Sequence, residues 1–263
     1  MTNPHGSFLW YELLTTDPQA AAAFYGGLLG WQVRDGGQSD LDYRLLSAGG
    51  TDVAGLMALP PGAAGSGMGP GWLGYLAVED VDAAVRGVEA ARGTVLMPPQ
   101  DIPGIGRFAF VADPQGAPFY VMRGEGEGDS RSYAPDTPGH VGWNELTTSD
   151  PQAAFVFYSS LFGWRKGDAM EMGAMGVYQI LALQDGDAPF GALMPPPDGA
   201  APTRWTFYFS VDDIDAATVR ATAGGAAIQH GPSEVPGGDF IILGTDPQGA
   251  AFALVGPRNA KED

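Results

Sequence analysis

The chain repeats itself. From Trp10 to Trp31 and from Trp143 to Trp164 the sequence aligns without a gap at an offset of 133 residues, and 14 of the 22 positions are identical. The shared pattern reads WxELxTxDPQAA and then FYxxLxGW. The end of each half repeats at the same offset, Asp113-Pro114-Gln115-Gly116-Ala117 answering Asp246-Pro247-Gln248-Gly249-Ala250. A repeat this long exceeds the period of solenoid units, so each copy is module-sized. Any site carried by such a duplication is expected where the two related modules meet, in features the copies share.

The chain's 263 residues leave room for two modules of roughly 120 to 130 residues, enough for a buried core. The first is expected over residues 6–123 and the second over 140–257. Between them, 124–139 (GEGEGDSRSYAPDTPG) is polar, rich in Gly and Pro and free of periodicity, as a linker is. Residues 258–263 read as a solvated tail. No apolar run reaches about 18 residues, so a membrane span is not expected. The first residues lack a basic stretch followed by an apolar one, the mark of a secretory signal. With no cysteine, disulfides, thiolate metal sites and a cysteine nucleophile are out, and a cytoplasmic location is expected. Thirteen basic residues stand against 31 acidic ones, a net charge of −18. That balance repels a phosphate backbone or an anionic membrane, so neither nucleic acid nor membrane is an expected partner. A monomer and a homodimer remain equally open.

Local signals recur in the same order in each copy. A strand over 8–14, matched by 141–147, precedes a helix whose start is marked by Asp17-Pro18 or Asp150-Pro151. Asp can cap free N–H groups there, and Pro fits a first helical position that needs none. Phe24 and Leu28, with Phe157 and Leu161, share a helix stripe, and Gly30 and Gly163 provide the stop. Strands are predicted over 43–48, 53–59 and 73–78, and again over 177–183, 190–194 and 206–211. A second helix follows in each, over 81–92 and 214–223, with Asp80 and Asp213 before it. Two strands close each copy, 107–112 with 119–122 and 240–244 with 252–255, joined by the Asp-Pro-Gln-Gly turn. Pro60 to Gly71 and Pro195 to Pro202 read as corresponding loops. The pattern is α+β: two tandem βαβββ modules.

These residues resemble the vicinal oxygen chelate superfamily, the relatives of glyoxalases, bleomycin-resistance proteins and extradiol dioxygenases. T-x-D-P-x-x-A-x-x-FY-x-x-L-x-GW after the first strand and ADPQGAPFYV or TDPQGAAFALV at the end carry the likeness, which spans residues 6 to 257. The resemblance implies curved mixed sheets around a cleft in which a divalent metal binds vicinal oxygens of a substrate. It places one ligand on the first strand, seven residues before the capping Asp, where this chain has Trp10 and Trp143. It places another four residues after the Gly of the closing turn, where this chain has Tyr120 and Ala253. Neither indole nor methyl can ligate a divalent ion, and a neutral phenol is a poor donor. No metal or other cofactor is therefore expected.

Glu12 and Glu145 are the candidate catalytic residues. Residues i and i+2 of a strand share a face, so each carboxylate lies on the face of Trp10 or Trp143. Beside indoles they could act as acid or base, or supply a displaced metal site. Equally, each could accept backbone N–H hydrogen bonds and fix the start of its module. Trp10, Trp143 and Tyr120 are the candidate ligand-binding residues, since an aromatic lining suits planar or apolar molecules. Trp31, Trp164, Trp72 and Trp205 read as core. His5, His140 and His230 are too scattered for a paired site. Met170, Met172 and Met175 around Glu171 form an adaptable patch unique to copy two. One reading keeps the fold for association alone, with no small-molecule site; the two others are a binder of a small apolar or aromatic molecule in the cleft between modules, and a lyase, isomerase or dioxygenase working through Glu12 and Glu145. The last two part at Glu→Gln substitution, which should end turnover and spare apolar binding.

Overall fold

A computed structural model describes residues 3–37, 41–63, 68–126, 128–186, 188–197 and 202–259. Copy one runs β1 (Phe8–Thr15), α1 (Pro18–Leu29), β2 (Gln32–Asp35), β3 (Tyr43–Ala48), β4 (Thr51–Ala58), β5 (Gly71–Ala77), α2 (Val81–Ala90), β6 (Thr94–Ile102), β7 (Gly106–Ala112) and β8 (Pro118–Gly124). Copy two repeats it as β9 (Val141–Thr147), α3 (Pro151–Phe162), β10 (Trp164–Glu171), β11 (Val177–Leu183), β12 (Pro189–Met194), β13 (Arg204–Ser210), α4 (Ile214–Ala223), β14 (Ala227–Glu234), β15 (Phe240–Thr245) and β16 (Ala251–Gly256). Each copy thus supplies one eight-stranded mixed sheet, and the class is α+β as its sequence indicates. Parts of both connecting loops, 64–67 and 198–201, lie outside the described residues, as do position 127 of the linker and 260–263 of the tail.

The helix boundaries follow the sequence signals. Asp17 accepts hydrogen bonds from the Gln19 and Ala20 amides, and Asp150 from that of Ala153. Gly30 and Gly163 close α1 and α3 at φ 71° and 67°, where a side chain would be strained. At the end of α2, Gly93 N–H reaches the Val88 carbonyl and Arg92 N–H that of Glu89. This winding puts Arg92 at φ 65°, whereas copy two has Gly225 at φ 93° in the matching place.

Strands β2, β6 and β10 lie outside the expected set, and β14 runs on through His230, where the sequence suggests a strand ending before it. Each lies at the outer end of its run of paired strands. Edge strands need only one buried ladder, so polar residues and prolines are tolerated in them. All four residues of β2 are exposed, and β6 contains Pro98-Pro99. His230 lies within β14, opposite Leu243.

The chain divides into two compact units that do not coincide with the copies. The first comprises Met1–Leu9, Leu73–Ser130 and Asn144–Thr206. It holds the runs β5-β8-β7-β6 and β10-β11-β12-β9 with α2 and α3. Its core contains Phe119, Tyr158, Phe162 and Trp164, all fully buried. The second comprises Trp10–Trp72, Arg131–Trp143 and Phe207–Asp263, with the runs β2-β3-β4-β1 and β13-β16-β15-β14 and helices α1 and α4. Tyr11, Tyr25, Phe207, Phe209 and Phe252 fill its core. Each unit therefore draws half its strands from either copy. In each run the inner pairs, β4/β1, β12/β9, β5/β8 and β13/β16, are parallel, and the outer ones antiparallel.

Candidate functional site

Most of the repeated motif is structural. In the second unit, Trp72 Nε1 donates to Tyr25 Oη (3.0 Å), which donates to Asp246 Oδ2 (3.0 Å). Asp246 Oδ1 takes the amides of Gln248 and Ala250, both at 2.9 Å. The first unit repeats the arrangement with Trp205, Tyr158 and Asp113, whose Oδ1 takes the amides of Gln115 and Ala117. Burial and the neighbouring carboxylate push both phenols well above their ordinary pKa. Burial also raises Asp113, against the pull of its hydrogen-bond donors. So FY in the helix and D in the turn are joined by one buried network per unit, with the helix from one copy and the turn from the other. Trp31 and Trp164 are core as expected, each donating from Nε1 at 2.8 Å, to the Gly139 and Gly6 carbonyls respectively.

Trp10 and Glu12 lie on one face of β1. Trp10 is half-buried and its Nε1 donates to Tyr43 Oη at 3.1 Å, while Glu12 is buried. Glu12 is paired in register with Gly55 of β4, and Gly55 with Leu45 of β3, two residues beyond Tyr43. A Cβ at Gly55 would lie 2.6 Å from Tyr43 Cζ and overlap its hydroxyl, so the ring keeps this pose only over a glycine. In copy two, Trp143 and Glu145 are half-buried on one face of β9. Tyr178 Oη donates to Glu145 Oε2 at 3.0 Å. Glu145 is paired with Ala192, and Ala192 with Ile180, two residues beyond Tyr178. Ala192 therefore occupies the place of Gly55, and Tyr178 that of Tyr43.

Tyr120 of β8 is buried in an aromatic stack in the first unit. Its ring lies 4.2 Å from that of Tyr75, its register partner on β5, and 4.6 Å from Phe110. In the second unit the matching pair is Tyr208 and Ala253. Neither tyrosine nor alanine there offers a metal the carboxylate the superfamily uses. Among the described residues no group of three or more His, Asp or Glu is placed to hold a metal ion. The residues present do not fit the superfamily's divalent ion at its usual positions.

The histidines have separate partners. His5 Nε2 meets the Leu161 carbonyl and buried His140 Nδ1 that of Arg131, while His230 is exposed on β14. Met172 and Met175 are exposed, and Met170 lies on the outer strand β10. A surface groove of about 540 Å³ in the first unit, between the end of α2, the closing turn and α3, shares no residue with the strand faces just described.

A model of the glyoxalase/bleomycin resistance protein/dioxygenase superfamily matches residues 7–121 and again 137–254. The chain belongs to that superfamily. CFP32 of Mycobacterium bovis, provisionally named a glyoxylase, is 38% identical over 94% of either chain. The anthracycline biosynthesis protein DauV of a Streptomyces species is 36% identical over 97% of this chain and 94% of its own. The Mn(II)-bound glyoxalase of Novosphingobium aromaticivorans, at 19% identity, superposes with a TM-score of 0.67 over 97% of this chain and 83% of its own, a likeness of fold. No described helix is long and apolar enough to cross a membrane.

Tyr43, Tyr178 and Gly55 were missed by the sequence reading. The two tyrosines stand 135 residues apart, not 133, so an alignment carried forward from the first motif pairs neither with the other.

Proposed function

We propose that this superfamily member binds a small, flat, largely apolar molecule against the Trp-bearing faces of β1 and β9, without the divalent metal used by its relatives. The observation that carries this reading is the half-buried Trp10 and Trp143 at the positions where the superfamily places ligands. A strand-borne indole that keeps part of its surface open offers a π-face to a planar partner, and its apolar bulk disfavours a hydrated ion. A relative named for anthracycline biosynthesis supports the same chemistry, since anthracyclines are planar polycyclic aromatics.

Native mass spectrometry of untagged protein from its producing cells tests the proposal. An organic adduct that disappears in a W10A/W143A variant is the expected outcome. A stoichiometric divalent metal would overturn it.

The hydrogen bond from Tyr178 to Glu145 favours one other reading. A carboxylate held by a phenol can accept a proton from a bound substrate, as a lyase, isomerase or dioxygenase of this fold would need. Glu12→Gln with Glu145→Gln separates the two: turnover collapses if the carboxylates are catalytic, and binding persists if they only frame the ligand.

A further inference from the structure

The surface groove of the first unit is lined by side chains that the second unit lacks at the matching positions. Arg92, Val156 and Ser160 stand on it with Pro114, Ala153 and Phe157. At the offset of 133 residues the second unit has Gly225, Ala23 and Gly27 in place of the first three. The seam between the two helices differs as well. In the second unit Arg220 of α4 donates from Nε to the Leu28 carbonyl of α1 at 3.0 Å, and a Cβ on Gly224 would lie 3.0 Å from the Phe24 ring. The first unit has Gly87 and Ala91 in those two places.

Arg92 is the largest of these differences. It holds φ 65°, a left-handed conformation that a side chain makes costly, where the second unit turns on a glycine. The residue is exposed, and among the described residues its guanidinium has no hydrogen-bond or ion-pair partner. The strain is therefore borne without an internal partner for the charge. On the facing helix Val156 is 55% exposed, an apolar side chain left open on the same groove.

We propose that this groove is a second ligand site, which takes a small monocarboxylate with an aliphatic body. Its volume of about 540 Å³ suits a small molecule. The guanidinium of Arg92 presents a planar fork of donors matched to a carboxylate. Val156, Ala153 and Pro114 supply an aliphatic wall, unlike the indoles of β1 and β9. Asp150 is the one carboxylate on the lining. Its Oδ1 accepts the Ala153 amide at 3.0 Å, and Asp17 repeats this cap in the second unit, so it belongs to the fold. Lys166 Nζ donates to Gln152 Oε1 at 3.2 Å and brings a second positive charge beside the groove. On a chain of net charge −18, these cations mark a place where an anion is attracted. The site shares no residue with the Trp-bearing strand faces, and the proposal stands apart from the reading given for them.

Octanoate tests the proposal, with octan-1-ol as the uncharged control of equal length. NMR titration of the full chain follows the Val156 methyls and the Arg92 side-chain N–H. In wild type both should shift saturably with one equivalent of octanoate, and the alcohol should bind at least about tenfold more weakly, as expected for loss of one charge-assisted hydrogen bond. Arg92→Gly, which suits the local backbone, should weaken octanoate by about tenfold or more and leave the alcohol unchanged. Val156→Ser should weaken both. 2-Naphthol, a flat uncharged probe for the Trp-bearing faces, should leave Val156 and Arg92 unshifted. Octanoate that moves neither signal would overturn the proposal. So would equal octanoate affinity in wild type and Arg92→Gly, or 2-naphthol shifts at the groove that match those of octanoate.

Discussion

At the scale of single residues, the buried tyrosines show what the repeated motif is for. Tyr25 links Trp72 to Asp246 with two bonds of 3.0 Å, and Asp246 in turn holds its own turn closed. Tyr25→Phe removes one oxygen and strips both a buried donor and a buried acceptor of this partner. The expected cost is about 2 to 3 kcal/mol in urea unfolding; a change below about 0.5 kcal/mol would show the network to be dispensable. Asp113 gives a pH signature. Its carboxyl is raised by burial, so between the unfolded value near about 3.9 and its folded value the native state holds more protons than the unfolded one. Ionisation then subtracts stability as pH rises through that window. The stability of the wild type relative to Asp113→Asn should fall over that interval and level off above it, and a difference that grows with pH would contradict the assignment. Trp10, Trp143, Glu12 and Glu145 were legible as a face because strand periodicity survives in β1 and β9. Tyr43 and Tyr178 were not, because a change of loop length takes their spacing away from the 133-residue repeat.

At the scale of elements, local rules located the helices and the inner strands and failed at the edges. Capping Asp, N1 proline and closing glycine are short-range chemistry, and α1, α3 and α4 start and stop where those residues stand. Strands β2, β6, β10 and β14 pair on one side only, so their sequences are polar or carry proline and give no periodic signal. The end of α2 departs from the rule: Arg92 holds the left-handed position that Gly225 holds after α4. Relief of that strain outweighs the extra chain entropy of a glycine. Arg92→Gly should therefore raise unfolding stability by up to about 1 kcal/mol, and Gly225→Arg should lower it. A destabilised Arg92→Gly protein would mean that the arginine side chain makes a contribution larger than the backbone strain.

At the scale of the whole molecule, the duplication is visible in sequence but the compact units are not. Each unit combines segments from both copies, as Tyr25 with Asp246 and Phe24 against Phe252 show in the second. Sequence periodicity reports which face of a strand is buried, and carries no information on which copy buries it. Residues 1–123 alone should accordingly lack a cooperative unfolding transition as a monomer, measured by denaturation with light scattering. A stable monomeric half would contradict the shared cores. The central claim, that this member of a metal-using superfamily works through aromatic faces instead, is tested most directly by titrating EDTA-treated full-length protein with Mn(II) in a calorimeter, in the presence and absence of 2-naphthol. The account predicts no stoichiometric metal site and naphthol binding that is the same with and without the ion; one equivalent of tightly held Mn(II), or naphthol binding that requires it, would contradict it.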